Sequence, residues 1–324
     1  MALAQNMRPR DIRQNELMIQ VARMYYIDNL SQAQIAQKIE MSRSNVSRIL
    51  QNCKEAGIVE IRLHDQALRT WEIKRRLIDR FSLKDAVIAP RGNIQEGVLN
   101  AVSQIAADYV EDLLRDDMTI GIGWGSTIHR LVNMLKPSSY HGTHVIQLVG
   151  GTNLTENYAD SVQLALDFAR KTGAVPHILN APLLVSSKEV RDIFIEENSI
   201  RHHLELTSGI DAAIATISTN APDRSTLVSA GYLTREQTQA LCNEGLFTHM
   251  LGQHIDEQGV LANIPLNDRV VGINLNTFKR IPLRIGVACG EYKARQIAAA
   301  LKGGYINVLI TDELTAMQVE KAAN

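Results

Sequence analysis

At 324 residues the chain is too long for one small domain, and ordinary domain sizes set an expectation of about two. Hydrophobic residues at 45% and charged residues at 21% describe a soluble globular protein and exclude a disordered or fibrous one. The formal net charge of −1 excludes a generic polyanion binder, yet the charge is uneven: Met1 to Arg80 holds 14 Lys+Arg against 9 Asp+Glu, and the remainder 20 against 26. A basic head on an acidic body fits a protein of which only the head meets nucleic acid.

Met1 to Asn15 is polar, with Arg8, Arg10 and Arg13, and reads as a mobile arm without a secretory signal. Leu17, Val21, Met24 and Tyr25 then recur at helical spacing. Leu30 to Gly57 reads as two short helices joined by a tight turn. Ser31 can cap the first helix and Ser42 the second, each hydroxyl accepting from a free backbone N–H. Ile35, Ala36 and Ile39 make one apolar side; Val46, Ile49, Leu50 and Cys53 make the other. The small Ala36 allows the close crossing of a helix-turn-helix. Glu40 stands where such turns usually carry glycine, and would bear a steric cost if its φ is positive. Opposite the apolar stripe, Ser42, Arg43, Ser44, Asn45, Ser47 and Arg48 crowd the start of the second helix. Arginine can fork onto a guanine edge, asparagine onto an adenine edge and serine onto a phosphate. These six are the candidate DNA-binding residues, with Arg43, Asn45 and Arg48 on base edges and the serines, with Arg62, on phosphates.

Ile58 to Leu63 predicts a short strand, and Ala67 to Phe81 an amphipathic connector helix or subunit contact. The expected organisation is a helix-turn-helix DNA-binding domain over 1–64, a connector over 65–84 and a Rossmann-like effector domain over 85–324. In the last of these, apolar runs predict strands at 85–89, 118–122, 143–149, 174–179, 211–217, 269–275, 283–288 and 306–311. Helical patterns lie between most of them. Continuous apolar strands alternating with helices imply a doubly wound parallel sheet, an α/β fold. Cys53, Cys242 and Cys289 are scattered, which speaks against a disulfide framework or a metal cage and for a reducing cytoplasm. No apolar run is long enough to cross a bilayer.

Ligands of such sheets collect beyond the carboxyl ends of the strands. There the sequence places Gly123-Trp124-Gly125-Ser126-Thr127, Gly150-Gly151-Thr152 and Cys289-Gly290-Glu291-Tyr292-Lys293. Glycines admit an anion to backbone amides, and a helix N-terminus adds partial positive charge. Ser126, Thr127 and Thr152 supply hydroxyls and Lys293 a cation, which suits a sugar or sugar phosphate. GIGWGST lacks the last glycine of a dinucleotide fingerprint and the G-K-[ST] of a P-loop, so no nucleotide cofactor is expected.

LSQAQIAQKIEMSRSNVSRIL, IGIGWGST and RIGVACGEYKARQIAAALKGGYINVLITDELTA together resemble the SorC family of bacterial sugar-responsive transcription regulators. The resemblance implies a helix-turn-helix joined to an effector domain that looks like sugar-phosphate isomerases and glucosamine-6-phosphate deaminase without their catalysis. It implies a dimer or tetramer controlled by a sugar, polyol or phosphorylated sugar. By the same resemblance the phosphate-binding turn falls on Gly125, Ser126 and Thr127, and a second glycine loop on Gly150 and Gly151. An acidic ligand contact falls on Asp256 of IDEQG and the ligand lysine on Lys293, with Cys289 where the family motif has its first glycine. The rival reading is an isomerase or deaminase with a DNA-binding head. Such chemistry needs a base near the sugar carbonyl, and His141, His144, His202 and His203 supply no clear pair. A recombinase is disfavoured, because the acidic body lacks a basic cleft and clustered metal-binding carboxylates.

Overall fold

The computed structural model describes residues 9–61, 65–90, 95–151 and 160–322. The chain divides into two compact units between Ala67 and Leu68. The first holds α1 (Pro9–Tyr26), α2 (Gln32–Lys38) and α3 (Arg43–Glu55). Helix α1 begins at Pro9, so the segment expected as an arm is helical from there on; Met1 to Arg8 lie outside the described residues. Val21, Met24, Ile35, Ala36, Val46 and Leu50 form one small core, and Met18, Ala22 and Cys53 another. Two caps fix where the short helices start. Ser31 and Gln34 cap α2 reciprocally, and the Ser42 hydroxyl accepts from the Asn45 N–H at 3.2 Å. Glu40 in the turn does have the left-handed backbone, φ +53°. The strand expected after Gly57 is absent through Ile61, because this stretch pairs with no neighbouring strand; Arg62 lies outside the described residues.

Helix α4 (Asp65–Phe81) follows, and its Ile73 and Leu77 are buried in the core of the second unit. Trp71 turns outward with the Arg75 guanidinium over its ring. The second unit then continues β1 (Asp85–Ala89), α5 (Gln95–Leu113), β2 (Thr119–Ile122), α6 (Ser126–Met134), β3 (His144–Gln147), α7 (Ser161–Thr172) and β4 (Val175–His177). After α8 (Lys188–Glu196) and α9 (Asn198–Leu206) come β5 (Ala212–Thr216), β6 (Ser218–Thr219), α10 (Thr226–Ser229) and α11 (Arg235–Asn243). The chain closes with β7 (Thr248–Met250), β8 (Gln253–Ile255), α12 (Leu275–Phe278), β9 (Leu283–Val287), α13 (Ala294–Lys302), β10 (Val308–Asp312) and α14 (Glu313–Ala322).

Seven of these strands form a parallel sheet in the order β1-β10-β9-β5-β2-β3-β4. The inner strands are buried on both faces, which is why their sequences read as unbroken apolar runs. Proline is tolerated in β4 because that strand is an edge. Two expectations fail. Residues 269–275 form single bridges through Val270 and Gly272 rather than a strand, and Asn274 caps α12 with its side chain on the Asn276 N–H. A small antiparallel sheet, β6-β7-β8, appears where none was expected. Its strands are two or three residues long, too short for a periodic signal.

That small sheet buries a pair of histidines, His249 and His254, with ring centres 5.5 Å apart. Burial holds His249 well below the ordinary histidine range and brings His254 down to about 4. Both are therefore neutral in the fold, whereas the unfolded chain protonates them near pH 6.5. Acidification from about pH 6.5 toward 4 favours the unfolded state, with His254 alone contributing a loss of about 2 kcal/mol by pH 5. Neither ring nitrogen of His249 has a protein partner. His249→Phe is therefore expected to raise stability and to shrink the loss between pH 7.5 and pH 5.0, read from denaturant unfolding at the two pH values.

Candidate functional site

In the first unit Ser42, Arg43, Ser44, Asn45, Ser47 and Arg48 are all exposed, while Val46 and Leu50 between them point into the core. The polar face is ordered locally. The Arg48 guanidinium lies 3.5 Å from the Asn45 side-chain oxygen, and the Ser42 and Ser44 hydroxyls are 2.9 Å apart. Ser42 is committed to capping α3, so its hydroxyl already has a structural task.

In the second unit the chain runs outward from β2 through β3 to β4. It then returns to β5 and proceeds the other way through β9 to β10. This reversal opens a crevice beyond the carboxyl ends of the central strands. A cavity of about 380 Å³ lies there, bordered by Ser126, Thr127 and Arg130 of α6, by Cys289, Gly290, Tyr292 and Lys293 after β9, and by Val98 and Leu99 of α5. Three of the residues singled out in the sequence, Ser126, Thr127 and Lys293, are brought together by strand order.

Gly125 sits at the N-cap of α6 with φ +129° and no side chain to occupy the first helical N–H groups. Those donors and the helix dipole favour an anion. The Thr216 hydroxyl, from the end of β5, donates to the Trp124 carbonyl at 3.1 Å and fixes this turn. Arg130, one turn along α6, donates to the Asn100 side chain at 2.9 Å and so ties α6 to α5. On the opposite wall the Gly290 N–H donates to the Asp312 carboxylate at 3.1 Å and to the Thr315 hydroxyl at 2.8 Å. The start of α14 thus braces the loop that carries Tyr292 and Lys293. Desolvation holds the Lys293 ammonium below its usual range, and burial pushes the Cys289 thiol up to about 11. The thiol is therefore protonated at neutral pH and unsuited to nucleophilic work. None of the described residues bordering the cavity is acidic.

Other candidates lie elsewhere. The N–H of Gly123 donates to the Ile214 carbonyl, that of Gly150 to Val271 and that of Gly151 to Ala181, at 2.9, 3.0 and 2.7 Å. These amides are used by the fold and cannot receive an anion. Gly150 is glycine for packing, since a Cβ there would lie 2.4 Å from the Pro182 carbonyl oxygen. Thr152 lies outside the described residues. Asp256 accepts from the N–H groups of Gln258 and Val260 at 2.9 and 2.8 Å, closing its own turn. That turn packs Gly259 against Ala299 and Gly303 at the far end of α13 from Lys293. Asp256 is therefore not among the residues bordering the cavity.

Arg130 borders the cavity without having been singled out, and Tyr292, named only as part of its loop, had been given no role. Arg130 follows Ser126 by four residues, so one helix face carries both, and this spacing could have found it. A larger groove of about 550 Å³, lined by other residues, lies between α13 and α14, and Arg295 and Glu257 on its wall pair with each other.

An outward-facing helix-turn-helix, on a chain whose larger unit gathers cations at a sheet switch point, is the build of a ligand-controlled DNA-binding transcription regulator. Residues 65–319 match the family model described as "Putative sugar-binding domain", and residues 22–69 the MarR family. The chain is 30% identical to the deoxyribonucleoside regulator of Bacillus subtilis strain 168 over 311 residues, covering 94% of this chain and 97% of that one. It is also 30% identical to the transcriptional regulator LsrR of Escherichia coli K12 over 308 residues, covering 94% and 95%. The full-length sorbitol operon regulator SorC from Klebsiella pneumoniae superposes with a TM-score of 0.73 at 26% identity, covering 94% of this chain and 98% of that one. The chain belongs to the SorC family of sugar-responsive transcriptional regulators. Among the described residues no helix is long and apolar enough to cross a membrane.

Proposed function

We propose that this regulator reads its operator with Arg43, Asn45 and Arg48 in the major groove, while Ser42, Ser44, Ser47 and Arg62 hold phosphates. Its effector is a phosphorylated sugar. The phosphate sits at the start of α6 against Ser126 and Thr127, with Arg130 and Lys293 supplying the opposing charge. The observation that carries this reading is the convergence of two cations and an uncapped helix N-terminus on one cavity with no described carboxylate on its wall. A sugar monophosphate brings about two negative charges to the desolvated Lys293 ammonium and the uncapped start of α6. A neutral sugar or polyol brings none.

The protein acts in the cytoplasm as a homodimer or homotetramer, since one short helix-turn-helix recognises paired half-sites best in multiple copies. It binds the sugar phosphate without converting it. The relatives support this, being named as regulators. So does the wall chemistry, because aldose–ketose isomerisation needs a base at the carbonyl carbon, and a protonated thiol and a lysine do not provide the usual carboxylate or imidazole. Effector binding changes operator affinity only through its differential affinity for the competent arrangement. A coupling of about 1–3 kcal/mol corresponds to roughly 5–150-fold.

The test is fluorescence anisotropy on an operator selected from a random duplex library, with and without a panel of sugar phosphates and the corresponding free sugars. At least one phosphate should shift operator affinity within that range while being recovered unchanged. A response confined to free sugars, or turnover of the compound, would refute the reading.

A further inference from the structure

The cavity lining mixes two chemistries. Ser126, Thr127, Arg130 and Lys293 are polar, whereas Val98, Leu99 and the ring of Tyr292 offer carbon surface beside them. Tyr292 is 43% exposed, unusual for so large a side chain beside a cavity, and yet it is firmly held. The Arg224 guanidinium stacks over its ring, 4.1 Å from the centroid. Arg224 is not among the residues bordering the cavity. On the loop side the ring packs so closely on Gly290 that a Cβ there would lie 2.6 Å from Cε1. Gly290 also has φ +100°. Any other residue at this position would both strain the backbone and push the ring away. The aromatic plane is thus fixed before any ligand arrives.

Resting on the sugar-phosphate reading above, we infer that Tyr292 is a specificity-determining stacking wall that selects ring-closed sugar phosphates over open-chain polyol phosphates. Ring closure sorts a sugar's surface. Hydroxyls lie around the rim, and several C–H bonds gather on one face, where they meet the negative face of an aromatic ring. An open-chain polyol phosphate of the same carbon count carries hydroxyls in every direction. Against Val98, Leu99 and Tyr292 some of those hydroxyls lose water and gain no partner, which disfavours binding. Arg224 is a positioning residue: it touches Tyr292 and holds the plane.

The experiment is titration calorimetry of the full chain with three kinds of probe: inorganic phosphate, ring-forming glucose 6-phosphate and ribose 5-phosphate, and their open-chain counterparts sorbitol 6-phosphate and ribitol 5-phosphate. In at least one pair the ring-forming member should bind about tenfold tighter than its alditol, the upper end of what an aromatic contact contributes. Tyr292→Ala should abolish that preference and leave inorganic phosphate affinity unchanged, while Tyr292→Phe should keep it. Arg224→Ala should reduce it without touching phosphate affinity. The inference is overturned if the alditol phosphates bind as well or better in both pairs, or if no sugar phosphate exceeds inorganic phosphate. It is equally overturned if Tyr292→Ala keeps the preference or loses phosphate binding as well. Failure of inorganic phosphate to bind the unaltered protein would instead refute the anion site itself.

Discussion

Replacing Arg43 or Arg48 by alanine is expected to abolish specific operator binding while leaving effector binding and thermal stability unchanged. Both side chains are exposed on the first turns of α3, and neither packs in the small core made by Val46 and Leu50. Their removal therefore takes nothing from folding. A bidentate arginine–base contact contributes about 1–3 kcal/mol of discrimination. Each copy of the chain repeats the loss, so a dimer forfeits about twice that. Arg48 is the more sensitive position if its approach to Asn45 orders both side chains before they meet DNA. Ser42→Ala behaves differently. It removes the α3 cap as well as one proposed phosphate contact, and so should cost about 1 kcal/mol of stability in the first unit besides weakening operator binding modestly. Anisotropy on the selected operator, beside melting curves of each variant, separates the two effects. Normal operator binding by both arginine variants would overturn the assignment of the reading face.

The second large effect is expected at Lys293. Substitution by glutamine should weaken sugar phosphate binding by about 10–150-fold, the range of a hydrogen bond to a charged group. Combined with Arg130→Gln it should remove binding altogether. The stability of the ligand-free protein should move the other way. Lys293 is desolvated, and no described carboxylate borders its cavity. Keeping an ammonium there is a cost that a bound phosphate would offset. Lys293→Met should therefore melt at the same or a higher temperature than the unaltered protein, and should lose the rise in Tm that the sugar phosphate confers. A clear fall in the ligand-free melting temperature would show that Lys293 holds the fold together rather than the ligand.

How much of this was legible in advance depended on distance along the chain. The helix-turn-helix is written locally: Ser31, Gln34 and Ser42 cap their helices, Val46, Leu50 and Cys53 recur on one face, and the positive φ of Glu40 sits where the pattern placed the awkward turn. The inner strands announced themselves because burial on both faces demands unbroken apolar runs. Failures came where a segment's conformation is set by remote partners. Residues 58–61 have strand composition but nothing to pair with, and 269–275 meets only isolated bridges. The glycines after strands all looked alike, although only some of them free an amide.

The sequence by itself determined the local elements: where helices start and stop, which faces are apolar, and that a polar arginine-bearing helix tip stays outside a small core. It could not determine which strand ends become neighbours. The placement of β5 between β2 and β9 decides that Ser126 and Lys293 share a cavity, draws in Arg130 and Tyr292, and leaves Gly150, Gly151 and Asp256 to other duties. The physical reason is range. Capping and periodicity act over a few residues and are written in order, whereas strand order is settled by burying every apolar face at once.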